Sequence, residues 1–231
     1  MSSNDKQATS HSKRFHNWQD NKTRKLMNNI DHQLAEKWIK PNSKVLDLGC
    51  GDGTLLAHLQ ERLGVFGYGI EIDPDKINEG ITKGLNIVEQ DLNDGLARFS
   101  DNSFDTVVMA RALQAVKNPE TLLNDMLRVA KFGIVTFPNF AYWQNRIYLG
   151  IKGIMPMSET LPHQWYNTPN IHLCTFKDFE RLCHDNNIRI LDTVALWDNP
   201  NPKIPAFVRD KAVKKAPNLL ADVAVFRIAK G

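Results

Sequence analysis

Cysteine is scarce in this chain, with 3 in 231 residues. Cys50, Cys174 and Cys183 stand far apart and form no Cys-x-x-Cys pair, which excludes a disulfide framework and the common zinc-ligand spacings. A reduced cytoplasm is the expected setting. No stretch reaches the roughly 18 consecutive apolar residues of a membrane span. The first residues also lack the apolar core of a secretion signal, so the chain is expected to stay where it is made. Internal repeats are absent, and so is any recognisable nucleic-acid module with interleaved aromatic residues. Residues 1–25 and 201–216 each net +4, which leaves −5 for the rest of the +3 chain. Without such a module a solvated tail is the better reading of each, and a nucleic-acid partner is not expected.

What remains is ordinary for a globular protein: 42% hydrophobic and 24% charged residues. That supports one α/β domain with a real core. Residues 1–25 have no apolar period and read as a disordered basic tail, leaving 26–231 as a single domain. From 25 to 39 the residues Leu26, Ile30, Leu34 and Trp38 recur every four positions, describing one helix face that Pro41 closes. Strands are expected at 44–48, 65–71, 85–90, 104–110 and 132–137. Helices fall between them at 54–63, 74–83 and 119–131, with a helical turn near 94–98. This alternation predicts an α/β fold with a doubly wound, mostly parallel sheet. A helix at 175–186 and strands at 187–196 and 220–228 follow, the last two antiparallel. Residues 140–174 break the pattern, with Trp143, Tyr148, Trp165 and Tyr166 and one helix at 140–150. They read as an aromatic insertion over the mouth of the sheet.

Chemistry concentrates in Val45-Leu46-Asp47-Leu48-Gly49-Cys50-Gly51-Asp52-Gly53-Thr54, a buried strand running through a glycine loop into a helix. Three glycines in five residues remove the Cβ atoms that hold a ligand off the backbone. Asp47 and Asp52 would repel a pyrophosphate but suit a cation. The spacing Gly49-x-Gly51-x-x-Thr54 also lacks the third glycine of the dinucleotide fingerprint. A positively charged nucleoside, S-adenosyl-L-methionine, fits better than NAD.

Further strand ends supply acids. Glu71 closes the second strand twenty-two residues after Gly49, where it can accept hydrogen bonds from ribose hydroxyls. Asp73, before Pro74, reads as a helix cap. Asp91 closes the third strand and has two open readings, acceptor for an exocyclic amine or member of a polar turn. Arg111 and Gln114, after the fourth strand, either line the cleft or lie on the surface. The candidate cofactor-binding set is Asp47, Gly49, Cys50, Gly51, Asp52, Gly53, Glu71, Ile72, Asp91 and Leu92; no metal site is expected.

The glycine loop followed by Glu71, Asp91 and Phe104-Asp105 resembles the class I S-adenosylmethionine-dependent methyltransferases, a Rossmann-like type. Three stretches are more specific. Gly67-Tyr68-Gly69-Ile70-Glu71-Ile72-Asp73-Pro74, Thr136-Phe137-Pro138-Asn139-Phe140 and the run from Leu161-Pro162-His163-Gln164-Trp165-Tyr166 to Cys174 resemble the methionine biosynthesis protein MetW family over residues 42–196. The resemblance implies a seven-stranded sheet with the ligand, S-adenosyl-L-methionine or S-adenosyl-L-homocysteine, over the first four strand ends. By position, Gly49, Gly51 and Gly53 would line its methionine part, Glu71 the ribose, Asp91 the adenine edge and Asp47 the amino group. It further implies a role in methionine synthesis beside a homoserine O-acyltransferase, whose activity the family supports. One departure is Ala130-Lys131-Phe132-Gly133-Ile134, where many methyltransferases have a glycine pair. A tighter or differently turned passage from helix to strand is expected there.

Catalysis stays open. An active methyltransferase on a small-molecule acceptor needs alignment of donor and acceptor and, for many acceptors, a general base. His163, His172 and Tyr166 are candidates, each equally readable as a packing or hydrogen-bonding residue. Cys174 is a nucleophile on paper but reads better as a small core residue. The preferred reading is a binding subunit whose aromatic insertion docks the acyltransferase, with the active methyltransferase as its alternative. A nucleic-acid methyltransferase is disfavoured, since the Asn/Asp-Pro-Pro-Tyr/Phe run of base amino methylation is missing and Phe137-Pro138-Asn139-Phe140 does not replace it.

Overall fold

The computed structural model describes residues 35–158, 160–197 and 206–231. The expected tail 1–25 and most of the expected helix at 25–39 lie outside them, although residues 35–38 are helical. Seven strands form one sheet: β1 (Lys44–Leu48), β2 (Phe66–Glu71), β3 (Asn86–Glu89), β4 (Phe104–Ala110), β5 (Ala130–Pro138), β6 (Ile188–Leu196) and β7 (Val223–Lys230), in the order β3-β2-β1-β4-β5-β7-β6. The first five are parallel, and β7 runs antiparallel to both β5 and β6. Helices α1 (Thr54–Leu63), α2 (Pro74–Thr82) and α3 (Pro119–Val129) are the crossovers. Next come α4 (Trp143–Lys152), α5 (Phe176–Asp185), α6 (Ala206–Lys215) and the single turn α7 (Pro217–Leu220). The α/β, doubly wound, seven-stranded reading is therefore correct.

Successive strand residues point to opposite faces, and both faces are covered. Leu46, Val107, Met109, Val135 and Phe226 join one buried cluster; Val45, Val108, Ile134 and Val225 join the other. This explains why the central strands are apolar at consecutive positions. On the first face Phe137 and Phe179 crowd Phe226, with the Phe179 and Phe226 centroids 4.6 Å apart. Truncating the fully buried Phe226 to Ala would cost about 3–5 kcal/mol.

Local chemistry sets the boundaries. Gly64 ends α1 in the left-handed region and returns its N–H to Gln60 O. Asp73 caps α2, accepting from Asp75 N, as its place before Pro74 predicts. Thr175 and Asp178 form a capping box at α5. At the departure noted above, α3 ends at Val129 and β5 begins at Ala130 with no residue between them. Some expectations need correction. The helical turn predicted at 94–98 is a 3-10 turn at Leu92–Asp94, started earlier by the Asp91 side chain accepting from Asn93 N. The helix predicted at 140–150 is Trp143–Lys152, and the last strand is Val223–Lys230. The basic stretch 203–215 lies partly outside the described residues, and 206–215 is α6, whose sequence has almost no apolar period to reveal it.

Candidate functional site

From β1 the chain builds outward to β2 and β3 on one side, and β4 and β5 lie on the other. Such a switch point opens a crevice at the carboxyl ends of β1 and β4, and the glycine loop leaves β1 there. Gly49, Gly51 and Gly53 all have positive φ, at 70°, 57° and 71°. They are not equivalent. A Cβ on Gly53 would stand 2.1 Å from Leu85 Cδ1, and one on Gly49 would stand 3.0 Å from Ala112 Cβ, just past the end of β4. Those two glycines let the loop pack. At Gly51 a Cβ would meet nothing within 4 Å, so this position faces open space.

Glu71 holds the loop in place. Its Oε2 accepts from Gly51 N at 2.8 Å, while Oε1 accepts from Ile72 N at 2.8 Å and Asp73 N at 3.0 Å. Gly49 N and Cys50 N both donate to Ile70 O, at 2.9 and 3.0 Å. Cys50 is a packing residue: its Sγ would lie 2.5 Å from a Cβ on Gly69, so Gly69 must remain bare. Burial first, then the Asp47 and Glu71 charges, push the Cys50 thiol well up, and it has no thiolate character at neutral pH.

The remaining candidates surround the crevice differently. Asp47 lies at the base of the loop and is 2% exposed. Asp52 serves the start of α1, accepting from Thr54 N at 3.2 Å and Thr54 Oγ1 at 2.8 Å. Lys83, one residue past α2, pairs with the same carboxylate at 3.1 Å and donates to Asp52 O at 2.7 Å. Partial burial raises the Asp52 pKa, but the Thr54 hydroxyl and N–H and the Lys83 ammonium outweigh it and hold the carboxyl below its ordinary value. Asp91 Oδ1 accepts from Asn93 N and Nδ2, both at 2.8 Å, so the polar-turn role is occupied. Ile72 is an exposed apolar side chain beside Glu71. Leu92 Cδ1 would be 3.9 Å from a Cβ on Gly49.

The connection from β5 to α5 meets the β4 exit at Gln114. Its backbone carbonyl accepts from Ile171 N at 2.9 Å and His172 N at 3.0 Å, and its side chain is 1% exposed. Arg111, at φ 61°, donates its N–H to Thr136 O at 2.9 Å. Gln114 is thus buried and Arg111 half-buried, so neither is an exposed surface residue. Among the proposed bases His163, Tyr166 and His172 are all exposed, and His172 Nε2 lies 3.2 Å from Lys117 O. Burial, then Asp178, pushes the Cys174 thiol up to about 12, as a packing role implies. Among the described residues no cluster of three or more His, Cys, Asp or Glu could hold a metal ion. No described helix is long and apolar enough to cross a membrane.

Lys83 and Thr136 have no sequence signal, and the sequence flags Gln114 only as a cleft or surface residue. Lys83 reaches the loop from just past α2, onto the carbonyl and carboxylate of Asp52, and the Gln114 carbonyl anchors 171–172. A further feature is polar: Thr136 Oγ1 near the end of β5 and Gln114 Oε1 beyond β4 are buried and have no hydrogen-bond partner among the described residues. A buried strand threonine in sequence looks like any other β-branched residue.

A family model described as methionine biosynthesis protein MetW matches residues 29–228. The bifunctional methionine biosynthesis protein MetXA/MetW of Rhodopirellula baltica is 35% identical over 206 residues, covering 85% of this chain and 32% of that protein. A ubiquinone/menaquinone biosynthesis C-methyltransferase UbiE of Stenotrophomonas maltophilia is 35% identical over 112 residues, 44% of each chain. The chain therefore spans less than half the length of these curated relatives. A SAM-dependent methyltransferase of Aquifex aeolicus shares the fold, with a TM-score of 0.58 at 18% identity over 91% of this chain and 94% of that one.

Proposed function

We propose a function from the premise that this chain belongs to the family of methionine biosynthesis protein MetW and has the methyltransferase fold. Residues 26–231 act as one domain that binds S-adenosyl-L-methionine or S-adenosyl-L-homocysteine and, in the cytoplasm, supports a homoserine O-acyltransferase as a partner subunit. One observation carries the ligand reading: Gly51 presents an open backbone position at φ 57°, 2.8 Å by its N–H from a carboxylate already fixed at the end of β2. Around it, Gly49, Gly51 and Gly53 would hold the methionine part and Asp47 its amino group. Glu71 would take the ribose, Asp91 the adenine amine, and Ile72 and Leu92 the apolar surface of the base. Cys50 and Asp52 act indirectly, through loop packing and the start of α1. When bound, the sulfonium supplies an activated methyl group.

The partner reading is supported by the Rhodopirellula baltica relative, which unites MetXA with MetW in one chain. Co-purification of this chain with a homoserine O-acyltransferase, and a rate increase on its addition, is the expected result. An acyltransferase left unbound and unchanged in rate would remove the partner. Calorimetry with each adenosyl ligand tests the site, and absence of heat with both would remove it.

A second reading, transfer of the methyl group to a small-molecule acceptor, is favoured by Thr136 Oγ1 and Gln114 Oε1. A buried polar atom without a partner costs about 1–3 kcal/mol, and a polar acceptor at the β4 and β5 exits would supply the missing bonds.

A further inference from the structure

Helix α4 is inside out. Its ten residues, Trp-Gln-Asn-Arg-Ile-Tyr-Leu-Gly-Ile-Lys, include five large apolar or aromatic side chains, yet Asn145 is its fully buried residue. The Asn145 amide donates to Phe140 O at 3.3 Å, and Arg146 Nε donates to Ala141 O. Hydrogen bonds to the exit of β5 therefore help hold the helix, beside the half-buried Trp143 and Tyr148. Ile147 and Ile151 stand one turn apart on the same face, and they are 50% and 80% exposed. Leu149 and, just beyond the Gly153 cap, Ile154 and Met155 are exposed as well. Short helices in globular proteins are stabilised chiefly by burying such a face. A concentration of exposed large apolar side chains marks an interaction site.

Charge narrows the occupant. The helix has Arg146 and Lys152 and no acid, and Lys152 Nζ lies 4.4 Å over the Tyr148 ring. A second copy meeting this face about a two-fold axis would set the same cations against one another, because an isologous contact pairs each patch with itself. The face calls for an apolar groove bordered by carboxylates on a different protein. The Rhodopirellula baltica relative gives that protein a source: two thirds of its length lies outside the region like this chain, and it carries MetXA in the same polypeptide.

We infer that the outward face of α4, centred on Ile147 and Ile151, is the surface on which the homoserine O-acyltransferase seats. This rests on the partner reading above and adds where the partner binds. The decisive comparison uses the full chain, wild type, Ile147→Glu, Ile151→Glu and Ile151→Leu, titrated against purified acyltransferase. Both glutamate variants are expected to weaken binding at least tenfold, and Ile151→Leu to retain it. Melting temperature and S-adenosyl-L-homocysteine affinity should stay at wild-type values, since both side chains are exposed to solvent. If the wild type binds and both glutamate variants bind equally well, the surface is wrong while the partnership stands. If the wild type itself does not bind, both fall. Loss in Ile151→Glu of self-association by sedimentation, or of binding to phosphatidylserine-containing vesicles, with acyltransferase binding intact, would overturn the assignment in favour of a second copy or a lipid surface.

Discussion

The Glu71 carboxylate accepts the Gly51 N–H at 2.8 Å, so the end of β2 fixes the tip of the loop that leaves β1. With Ile72 N and Asp73 N on the other oxygen, three backbone donors converge on one side chain. A carboxylate can accept all of them; an amide cannot, because one of its two ends is itself a donor. Glu71→Gln should therefore set an NH2 group against a backbone N–H and lose about 1–3 kcal/mol of stability, read as a lower denaturation midpoint. It should also weaken adenosyl-ligand binding by more than tenfold in calorimetry. A variant with unchanged midpoint and affinity would show that the carboxylate has no special role.

Gly51 and Gly53 share a left-handed backbone and should still respond differently to alanine. Each substitution incurs strain of about 1–2 kcal/mol from positive φ. At Gly53 the new Cβ also meets Leu85 Cδ1, whereas at Gly51 it meets nothing within 4 Å. Gly51→Ala should fold and lose ligand affinity, while Gly53→Ala should lose stability first. Thermal melts alongside calorimetry separate the two; equal loss of stability would contradict the distinction.

How much of this was legible follows from which interactions are local. Strand β1 and helix α1 occupy the residues that the apolar run and the glycine punctuation predict, 44–48 and 54–63, because strand, turn and helix start are encoded within twenty residues. The Asp73 cap is equally local. The insertion of β7 between β5 and β6 is not, since nothing in a strand's own sequence names its neighbours. Nor is Lys83, whose ammonium crosses 31 residues to reach a backbone carbonyl. Helix α4 misleads for a different reason. Its apolar content suggests burial, and only the hydrogen bonds of Asn145 reveal which side is inward.

Asp52 should make the fold sensitive to acid. Its folded pKa is held below the ordinary carboxylate value, so its contribution is present above about pH 4, the unfolded value, and is lost as pH falls through the lower folded one. With its side chain 38% exposed, solvent screening limits the Lys83 pair to under about 1 kcal/mol. Asp52→Asn should accordingly lower the melting temperature slightly at pH 7, and the gap from wild type should close below pH 4. A gap that widens toward acid would reverse the assignment.

Thr136 provides the sharpest contrast between stability and use. Its hydroxyl is buried near the end of β5 with no hydrogen-bond partner among the described residues, and Gln114 Oε1, beyond β4, likewise has none among them. Thr136→Val keeps the branched shape and removes the polar atom. If the hydroxyl has no ligand to meet, the change should be neutral or stabilise by about 1 kcal/mol, raising the melting temperature by about 2–4 °C for a chain of this size. If a polar acceptor is held there, the same variant should lose methyl transfer, read as S-adenosyl-L-homocysteine release, while keeping ligand affinity and that stability gain. A variant that is less stable than wild type would show instead that the hydroxyl is satisfied within the fold, and would remove the observation that favours an acceptor site.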